Sequence, residues 1–155
     1  MSLTENQLSQ VYNEYADMVY RVCFTYLRGS KMDAEDAVQI TFLNLIRADR
    51  SLNSIRSIKA WLIVCATNSC KNILNRSHKK DIKLDDRYAH SDNRDETLEM
   101  ILQMPKLLRM SVYLHYYEGY TAKEIGKMLN KSESAVWGYL HKGRKVLRGI
   151  LEDIV

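Results

Sequence analysis

The residues best placed to do chemistry lie between Thr121 and Arg148, where two short helices joined by a tight turn are predicted. Thr121-Ala122-Lys123-Glu124 is a capping box, in which a hydroxyl and a carboxylate satisfy two backbone donors at a helix start. Asn130-Lys131-Ser132 suits the turn because asparagine tolerates the left-handed conformation, and Ser132 can cap the next helix. A short helix, a tight turn and a basic second helix are typical of proteins that read the DNA major groove.

The second of these helices is predicted to have two faces. Ala135, Val136, Leu140 and Leu147 point inward at helical spacing, and a polar and basic set points outward. In a groove-reading helix the first residues meet base edges and the later Lys and Arg meet phosphates. A plain helical hairpin is the alternative interpretation. The candidate DNA contacts in this segment are Thr121, Lys131, Ser132, Glu133, Ser134, Trp137, Tyr139, Lys142, Arg144 and Lys145.

Residue types that serve enzymes are present but scattered. His78, His90, His115 and His141 have no metal-ligand spacing to cysteine or carboxylate, and no phosphate-binding glycine loop occurs. We therefore predict a protein that is not an enzyme, with no metal site and no cofactor. The three cysteines, Cys23, Cys65 and Cys70, form no Cys-x-x-Cys pair and sit in apolar stretches, which favours small buried side chains in a reducing compartment.

The formal net charge of +4 conceals an uneven distribution along the 155 residues. Residues 1–50 carry a net charge of −2, residues 51–84 of +6, residues 85–120 of −3, and residues 121–155 of +3. Two basic blocks separated by an acidic one predict contact with a polyanion at two places, with solvated helix faces as the alternative. No apolar run is long enough to span a membrane and no signal peptide opens the chain, so we expect a cytoplasmic protein without membrane insertion.

One proline and six glycines predict an all-α fold. Apolar residues from Leu8 to Tyr26 recur at three- and four-residue spacing, and that helix should end near Gly29. Asp33 can cap a second helix that runs to about Arg47. Residues 49–59 lack a clear period and suggest a loop, after which a third helix should begin at Ile58 or Trp61 and run to Ser77.

Two small helical domains joined by a flexible linker are therefore predicted: residues 1–76, a polar linker over 77–95, and residues 96–155. In the second domain a helix over about Thr97–Gln103 precedes Pro105, which suits the first turn of the next helix. That helix should end before Gly119.

Both domains resemble bacterial RNA polymerase sigma factors of the sigma-70 family. The segments that carry the resemblance are Asp33–Leu43 and Trp61-Leu62 with Asn68 and Arg76 in the first domain, and Leu114–Thr121, Glu124-Ile125-Gly126 and Ser134-Ala135-Val136 in the second. They follow the family's order and cover nearly the whole chain. The short length resembles the extracytoplasmic-function (ECF) class, group 4 of the family.

The resemblance implies that the first domain corresponds to sigma region 2, which docks on core RNA polymerase and opens promoter DNA. The implied docking residues lie on the second helix: Asp33, Asp36, Gln39, Ile40 and Phe42. We expect Ile40 and Phe42 to stay partly exposed beside polar groups, with burial of Phe42 in the core as the alternative. The implied partners are core RNA polymerase, promoter DNA and an anti-sigma factor.

The +6 block supplies the implied contacts with the downstream promoter element. Basic side chains would hold the duplex and a loop would take up an extruded base. Trp61 can stack on a base or pack in the core. The candidate residues are Arg50, Asn53, Ser54, Arg56, Lys59, Trp61, Asn68, Lys71, Asn72, Arg76, Lys79 and Lys80.

By the same resemblance the second domain corresponds to sigma region 4, which reads the upstream element, but it departs from the family pattern at Trp137-Gly138 and at Gly143. Trp137-Gly138 stands where a polar or basic pair is common, and indole offers only one donor. Two other functions stay open from the sequence: a stand-alone helix-turn-helix regulator, and a degenerate sigma-like protein that only binds a partner.

Overall fold

Seven α-helices and no strand make up the described part of the chain. The computed structural model describes the backbone of residues 3–48, 55–79 and 96–154, and the side chains of 3–48, 58–76 and 96–149. The helices are α1 (Glu5–Tyr26), α2 (Lys31–Arg47), α3 (Ile55–Lys79), α4 (Glu96–Gln103), α5 (Lys106–Tyr116), α6 (Ala122–Leu129) and α7 (Glu133–Ile154). Helices α1–α3 form one compact unit and α4–α7 a second. The prediction of an all-α chain with two helical units is confirmed.

Helix α1 is closed at both ends by local backbone chemistry. Thr4 forms a capping box with Gln7, which the sequence analysis did not identify. At the other end the chain reverses through Arg28 and Gly29, which have φ values of 57° and 89°, and the Gly29 amide donates to the Phe24 carbonyl at 2.8 Å. This left-handed pair turns the chain back for α2.

Helix α2 begins three residues earlier than predicted. Its N-cap is Ser30, whose hydroxyl accepts from the Asp33 amide at 3.4 Å, so Asp33 is not the cap and lies in the first helical turn instead. Ser30 is the cap because its hydroxyl can accept a backbone hydrogen bond, and because Lys31 and Met32, which follow it, are compatible with the first helical turn. The helix that starts at Lys31 packs against both α1 and α3.

The core of the first unit lies where α1, α2 and α3 meet. Val19, Val22, Leu45, Leu62 and Ala66 are completely or almost completely buried there. A small polar seam joins α2 to α3, in which the Thr41 hydroxyl lies 3.4 Å from that of Ser69. Each hydroxyl also donates to a carbonyl one turn earlier on its own helix, so burial leaves neither without a partner.

Helix α3 is longer than its sequence pattern indicates. It begins at Ile55, so residues 55–59 are helical and the predicted loop over 49–59 is wrong for that part. It continues through Lys79, three residues into the predicted linker. Ile58 is buried, which shows that the early turns are held by packing against the unit. Residues 49–54 and 80–95, which hold the rest of the predicted loop and of the linker, lie outside the described residues.

The second unit is built on α5, with α4 at its start and α6 and α7 against it. Pro105 is the N-cap of α5, one residue before the predicted position. Arg109 is buried and donates through Nη1 to the Met104 carbonyl at 2.8 Å, which satisfies a carbonyl at the end of α4. Met110, Leu114, Ile125, Val136 and Leu140 form the fully buried core.

None of the helices in the described ranges is long and apolar enough to cross a membrane.

Candidate functional site

The turn between α6 and α7 has the geometry of a helix-turn-helix motif. The Thr121 hydroxyl accepts from the Glu124 amide at 3.2 Å, and the Glu124 carboxylate accepts from the Thr121 amide at 3.0 Å. Asn130 ends α6 in the left-handed region, at φ 58° and ψ 48°. Ser132 accepts from the Ala135 amide at 3.0 Å and so caps α7. The predicted capping box, turn and second cap are all present.

Gly126 makes the turn tight enough for this arrangement. A Cβ at position 126 would lie 2.6 Å from the carbonyl oxygen of Lys131, which is backbone and cannot move aside. The Lys131 amide in turn donates to the Gly126 carbonyl at 2.8 Å. The absence of a side chain therefore lets the start of α7 lie directly against the end of α6.

Helix α7 presents one exposed stripe and one buried stripe. Val136, Leu140 and Gly143 are buried, at intervals of four and three residues. Among the predicted contacts Tyr139 and Arg144 are half-buried on the flanks of the stripe. The exposed ones are Thr121, Lys131, Ser132, Glu133, Ser134, Trp137, Lys142 and Lys145. The geometry suits a helix that lies in a groove, with its first turn at base edges and its lysines at phosphates.

Trp137 projects from this stripe and is held at its base. Its ring centroid lies 6.4 Å from that of His115 in an edge-on arrangement, and 48% of the residue is exposed. His115 Nδ1 lies 2.8 Å from the Tyr120 carbonyl. Since a carbonyl only accepts, Nδ1 carries a proton and donates it. This hydrogen bond orients the imidazole, which contacts one side of the indole.

A second exposed stripe runs along α3. Asn68, Lys71, Asn72 and Arg76 share one exposed face, and Asn75, which the sequence analysis did not name, lies beside them. Their spacing of three and four residues could have identified Asn75. This face offers two cations and three amides, a combination that suits the phosphates and sugars of a nucleic acid.

The other predicted downstream contacts are placed less simply. Lys59 and Trp61 are half-buried, and both belong to α3 instead of a loop. Arg56 and Lys79 also belong to α3, although their side chains lie outside the described residues. Arg50, Asn53, Ser54 and Lys80 lie wholly outside the described residues.

Helix α2 carries the third candidate surface, and here the structure corrects the sequence. Asp36 and Gln39 are exposed and Ile40 is half-buried. Asp33 is only 4% exposed and Phe42 only 9%. The expected partial exposure of Phe42 is therefore wrong, and the alternative, its burial in the core, is what the structure shows. Phe42 packs edge-on against Tyr12 of α1 at a centroid distance of 4.9 Å, and α1 is the neighbour that covers it.

Three exposed apolar residues of α2 were missed. Met32, Leu43 and Ile46 are 73%, 49% and 56% exposed. Together with Asp36 and Gln39 they repeat at intervals of four and three residues, so they form one stripe, which we call the α2 face. Beside Ile46 an open groove of about 310 Å³ is lined by Leu8, Tyr12 and Phe42 among others. Exposed apolar side chains interspersed with polar ones are typical of a protein–protein interface.

The three cysteines are free thiols in the first unit. Cys23 and Cys70 are buried as predicted, whereas Cys65 is half-buried. The pKa of the Cys70 thiol is raised far above its usual range. The hydrogen bond between Cys70 and Cys23 is the main cause, and burial of Cys70 is the second. Burial also raises the pKa of Cys65, against hydrogen bonds from Asn44 and Ser69. Within the described residues no three His, Cys, Asp or Glu side chains come together to hold a metal ion.

Two family models match the chain, one for each unit. Sigma-70 region 2 matches residues 11–80, and Sigma-70, region 4 matches residues 94–147. Their order is that of the two helical units, and their ranges include the α2 face, the α3 stripe and the helix-turn-helix motif.

The chain is also similar to characterised sigma factors over most of its length. It is 25% identical to the ECF RNA polymerase sigma factor SigW of Bacillus subtilis (strain 168), a match that covers 97% of this chain and 91% of the relative. It is 27% identical to the ECF sigma factor SigE of Mycolicibacterium smegmatis, over 92% of this chain and 60% of that relative.

Among solved structures, the fold is similar to that of the sigma factor RpoE from Bartonella quintana, co-crystallised with the anti-sigma factor NepR. The TM-score is 0.70 at 14% identity, and the match covers 93% of this chain and 96% of that one. This likeness supports the helical fold.

Proposed function

Since this chain belongs to the sigma-70 family, in its extracytoplasmic-function class, we propose that its three exposed surfaces bind core RNA polymerase and two promoter elements. The chain is a transcription initiation factor that directs RNA polymerase to promoters and is not itself an enzyme. One observation supports assigning a different partner to each surface. Each unit exposes a stripe rich in polar and basic residues on one helix, and the first unit also exposes the mixed apolar and polar α2 face.

The α2 face docks on the polymerase. Asp36 and Gln39 supply polar anchors, and Met32, Leu43 and Ile46 supply apolar area that is costly to leave in water. Ile40 lies at the edge of this contact. Phe42 and Asp33 act from beneath, because both are buried. Phe42 braces α2 against Tyr12, and the Asp33 amide ties the first turn to Ser30.

The α3 stripe holds the downstream element. Lys71 and Arg76 neutralise phosphates, and Asn68, Asn72 and Asn75 donate to phosphate or sugar oxygens. Arg50, Asn53, Ser54 and Arg56 precede this stripe in the chain, where we assign them to capture of the unpaired strand. Lys79 and Lys80 extend its positive charge.

Helix α7 reads the upstream element. Its N-cap and first turn, Ser132, Glu133 and Ser134, face base edges, and Lys142 and Lys145 face phosphates. Thr121 and Lys131 contact the backbone next to the groove. Tyr139 and Arg144 flank the stripe and complete its contacts with the strand.

The proposed domains are residues 1–76 and 96–155, joined by residues 77–95. Helix α3 continues through Lys79, so the connecting segment begins after that residue. Nineteen residues of extended chain reach about 60 Å. Even the shorter segment after Lys79 is long enough for the two units to bind two promoter elements on one duplex.

An anti-sigma factor is a further proposed partner, in the cytoplasm where promoter DNA and polymerase are found. The relative of known structure was crystallised with an anti-sigma factor, NepR. The α2 face has the apolar and polar composition that such a protein could cover, and covering it would block polymerase docking.

Run-off transcription with purified core RNA polymerase tests the proposal. The full chain, added to core polymerase and a library of promoter fragments, should yield transcripts from a defined subset of sequences. Core polymerase alone, and core polymerase with a chain changed at Asp36, Gln39 and Leu43, should yield none of that subset. Equal transcription by wild type and this variant would contradict docking through the α2 face.

A further inference from the structure

Trp137 stands exposed on the helix that enters the groove, and within the described residues its indole makes a ring contact with His115. It is the large apolar residue exposed in the first two turns of α7, next to Ser134 and ahead of Lys142. Exposing the apolar area of such a residue to water is unfavourable at roughly 25 cal/mol per Å². A partner that covers the indole would recover this free energy.

The indole also has a contact within the unit that restricts it on one side before any partner arrives. His115 contacts it from α5, and the hydrogen bond between His115 and the Tyr120 carbonyl holds the imidazole still. A rigid aromatic side chain loses little conformational entropy on binding. Trp137 is therefore a preformed apolar contact.

Gly138, the next residue, is the second unusual feature. It lies in the interior of α7, where glycine costs about 1 kcal/mol relative to alanine. A Cβ at Gly138 would meet no heavy atom within 4 Å, in contrast to Gly126, so packing within the unit does not require glycine. The helix backbone is thus open on its exposed side, directly beside the indole.

The charges around these two residues favour DNA as the occupant. Exposed lysines lie on the same helix and in the turn before it, at Lys131, Lys142 and Lys145, and α6 adds Lys123 and Lys127. Among the described side chains of α7 the single acidic residue is Glu133. A polyanion is complementary to this positively charged surface, whereas a basic peptide would be repelled by it.

Within a DNA major groove, the apolar group that an indole can contact is the C5-methyl of thymine. Indole has one donor and cannot form the bidentate hydrogen bonds with which arginine or asparagine reads a base. A side chain at position 138 would keep the methyl group away from the helix, whereas glycine lets it approach the backbone.

We infer that Trp137 and Gly138 select thymine in the upstream element by apolar contact with its C5-methyl group. The inference rests on the proposed function and names the kind of sequence that α7 reads. At this turn of the helix, Trp137 and Gly138 therefore recognise the base by apolar contact with its methyl group, in place of hydrogen bonds from polar side chains.

Deoxyuridine tests this directly, because it is thymidine without the methyl group. Holoenzyme made from core RNA polymerase and the full chain selects duplexes from a randomised library, and each thymine of the selected upstream element is then replaced by deoxyuridine. At one or two positions the replacement should weaken binding about fourfold per methyl group, the factor for burying one such group. In a Trp137→Ala holoenzyme the thymine and deoxyuridine duplexes should bind equally.

Gly138→Ala and Gly149→Ala form a matched pair, since both glycines lie on α7 with open space at Cβ. Gly138→Ala should lower affinity for the thymine duplex at least threefold, and Gly149→Ala should leave it unchanged. As a second readout, a Trp61→Phe chain keeps Trp137 as its sole tryptophan, and its fluorescence should change more with the thymine duplex than with the deoxyuridine duplex.

Equal affinity of wild-type holoenzyme for every thymine and deoxyuridine pair would overturn the inference, and so would undiminished discrimination in Trp137→Ala. A Trp137→Ala chain that no longer binds core polymerase would also overturn it, by assigning the indole to a protein contact. In the first two outcomes the chain still binds polymerase and promoters, so the proposed function stands. If wild-type chain binds neither, the proposed function itself fails.

Discussion

A Cβ on Gly143 would lie 2.4 Å from Cγ2 of Val112, so the close approach of α7 to α5 at this point depends on a missing side chain. Val112 is almost completely buried and branched at Cβ, which leaves it no free space or alternative rotamer. Glycine at position 143 lowers the helix propensity of α7. It is accommodated there because α7 packs closely against α5 at this position.

Gly143→Ala should therefore destabilise the second unit although alanine is the better helix former. Overpacking costs about 1–3 kcal/mol, which outweighs a propensity gain of about 1 kcal/mol. Hydrogen exchange of α5 and α7 amides in the full chain measures the effect. Gly149→Ala, with open space at its Cβ, should slow exchange instead. Adding Val112→Ala to Gly143→Ala should recover part of the loss, and strictly additive effects would contradict a direct clash.

Alanine substitution of Asp36, Gln39 and Leu43 together should weaken binding to core RNA polymerase at least tenfold without unfolding the first unit, because all three side chains are exposed. Surface plasmon resonance with immobilised core polymerase measures this. Glu14→Ala, an exposed acidic change on α1, serves as the control and should bind normally. Loss of binding in that control would point to net charge as the cause.

Phe42→Ala should act through stability. The ring is buried against Tyr12, and truncating a buried phenylalanine costs about 3–5 kcal/mol. Circular dichroism during thermal unfolding should show a lower midpoint for the first unit. A Phe42→Ala chain that keeps its full stability and loses polymerase binding would place the ring in the interface after all.

Lys71→Ala and Arg76→Ala should each reduce the salt dependence of downstream-element binding by about one unit in the slope of log K against log salt. Both cations are exposed on the same face of α3. Binding of holoenzyme to promoter DNA is measured at several salt concentrations. Lys31→Ala, an exposed cation at the start of α2, should leave the slope unchanged.

The capping box of α6 should make the second unit sensitive to acid. A hydrogen bond from the Thr121 amide lowers the pKa of Glu124 below its ordinary value of 4.5. Since the folded pKa is the lower one, the stabilisation is fully present above pH 4.5 and is lost as pH falls through the folded pKa. Unfolding of the full chain followed between pH 3 and 6 should show this loss in wild type and less of it in Glu124→Gln, whose amide oxygen still accepts. Thr121→Ala should cost about 1 kcal/mol at neutral pH.

The thiols should alkylate in a defined order at neutral pH. Cys65 is half-buried, whereas Cys70 is buried and its pKa is raised by Cys23 and by burial, so the thiolate is scarcer at Cys70 than at Cys65. Mass spectrometry of the chain after brief exposure to iodoacetamide should find Cys65 modified before Cys70. Modification of Cys70 first would show that the first unit opens readily between α1 and α3.

Residues whose roles depend on one helix alone could be predicted well. The capping box at Thr121, the left-handed Asn130 and the cap at Ser132 are set by a few neighbouring residues, and the structure contains each of them. The exposed stripe of Asn68, Lys71, Asn72 and Arg76 follows from helical spacing. The early turns of α3 could not be predicted because their residues show no periodic pattern. These turns are held by the packing of Ile58 against the unit.

By itself the sequence determined the helices, the turn between α6 and α7, and the family, since these depend on local spacing and on motifs in order. Tertiary structure decided which side of each helix is left for a partner. Phe42 and Leu43 are adjacent and similarly apolar, yet α1 covers one and leaves the other 49% exposed. Glycine is required by packing at position 143 and free of packing at position 138, because Val112 of α5 lies against only the first. A helix's own sequence fixes its faces, but the neighbouring helices determine which of them reach solvent.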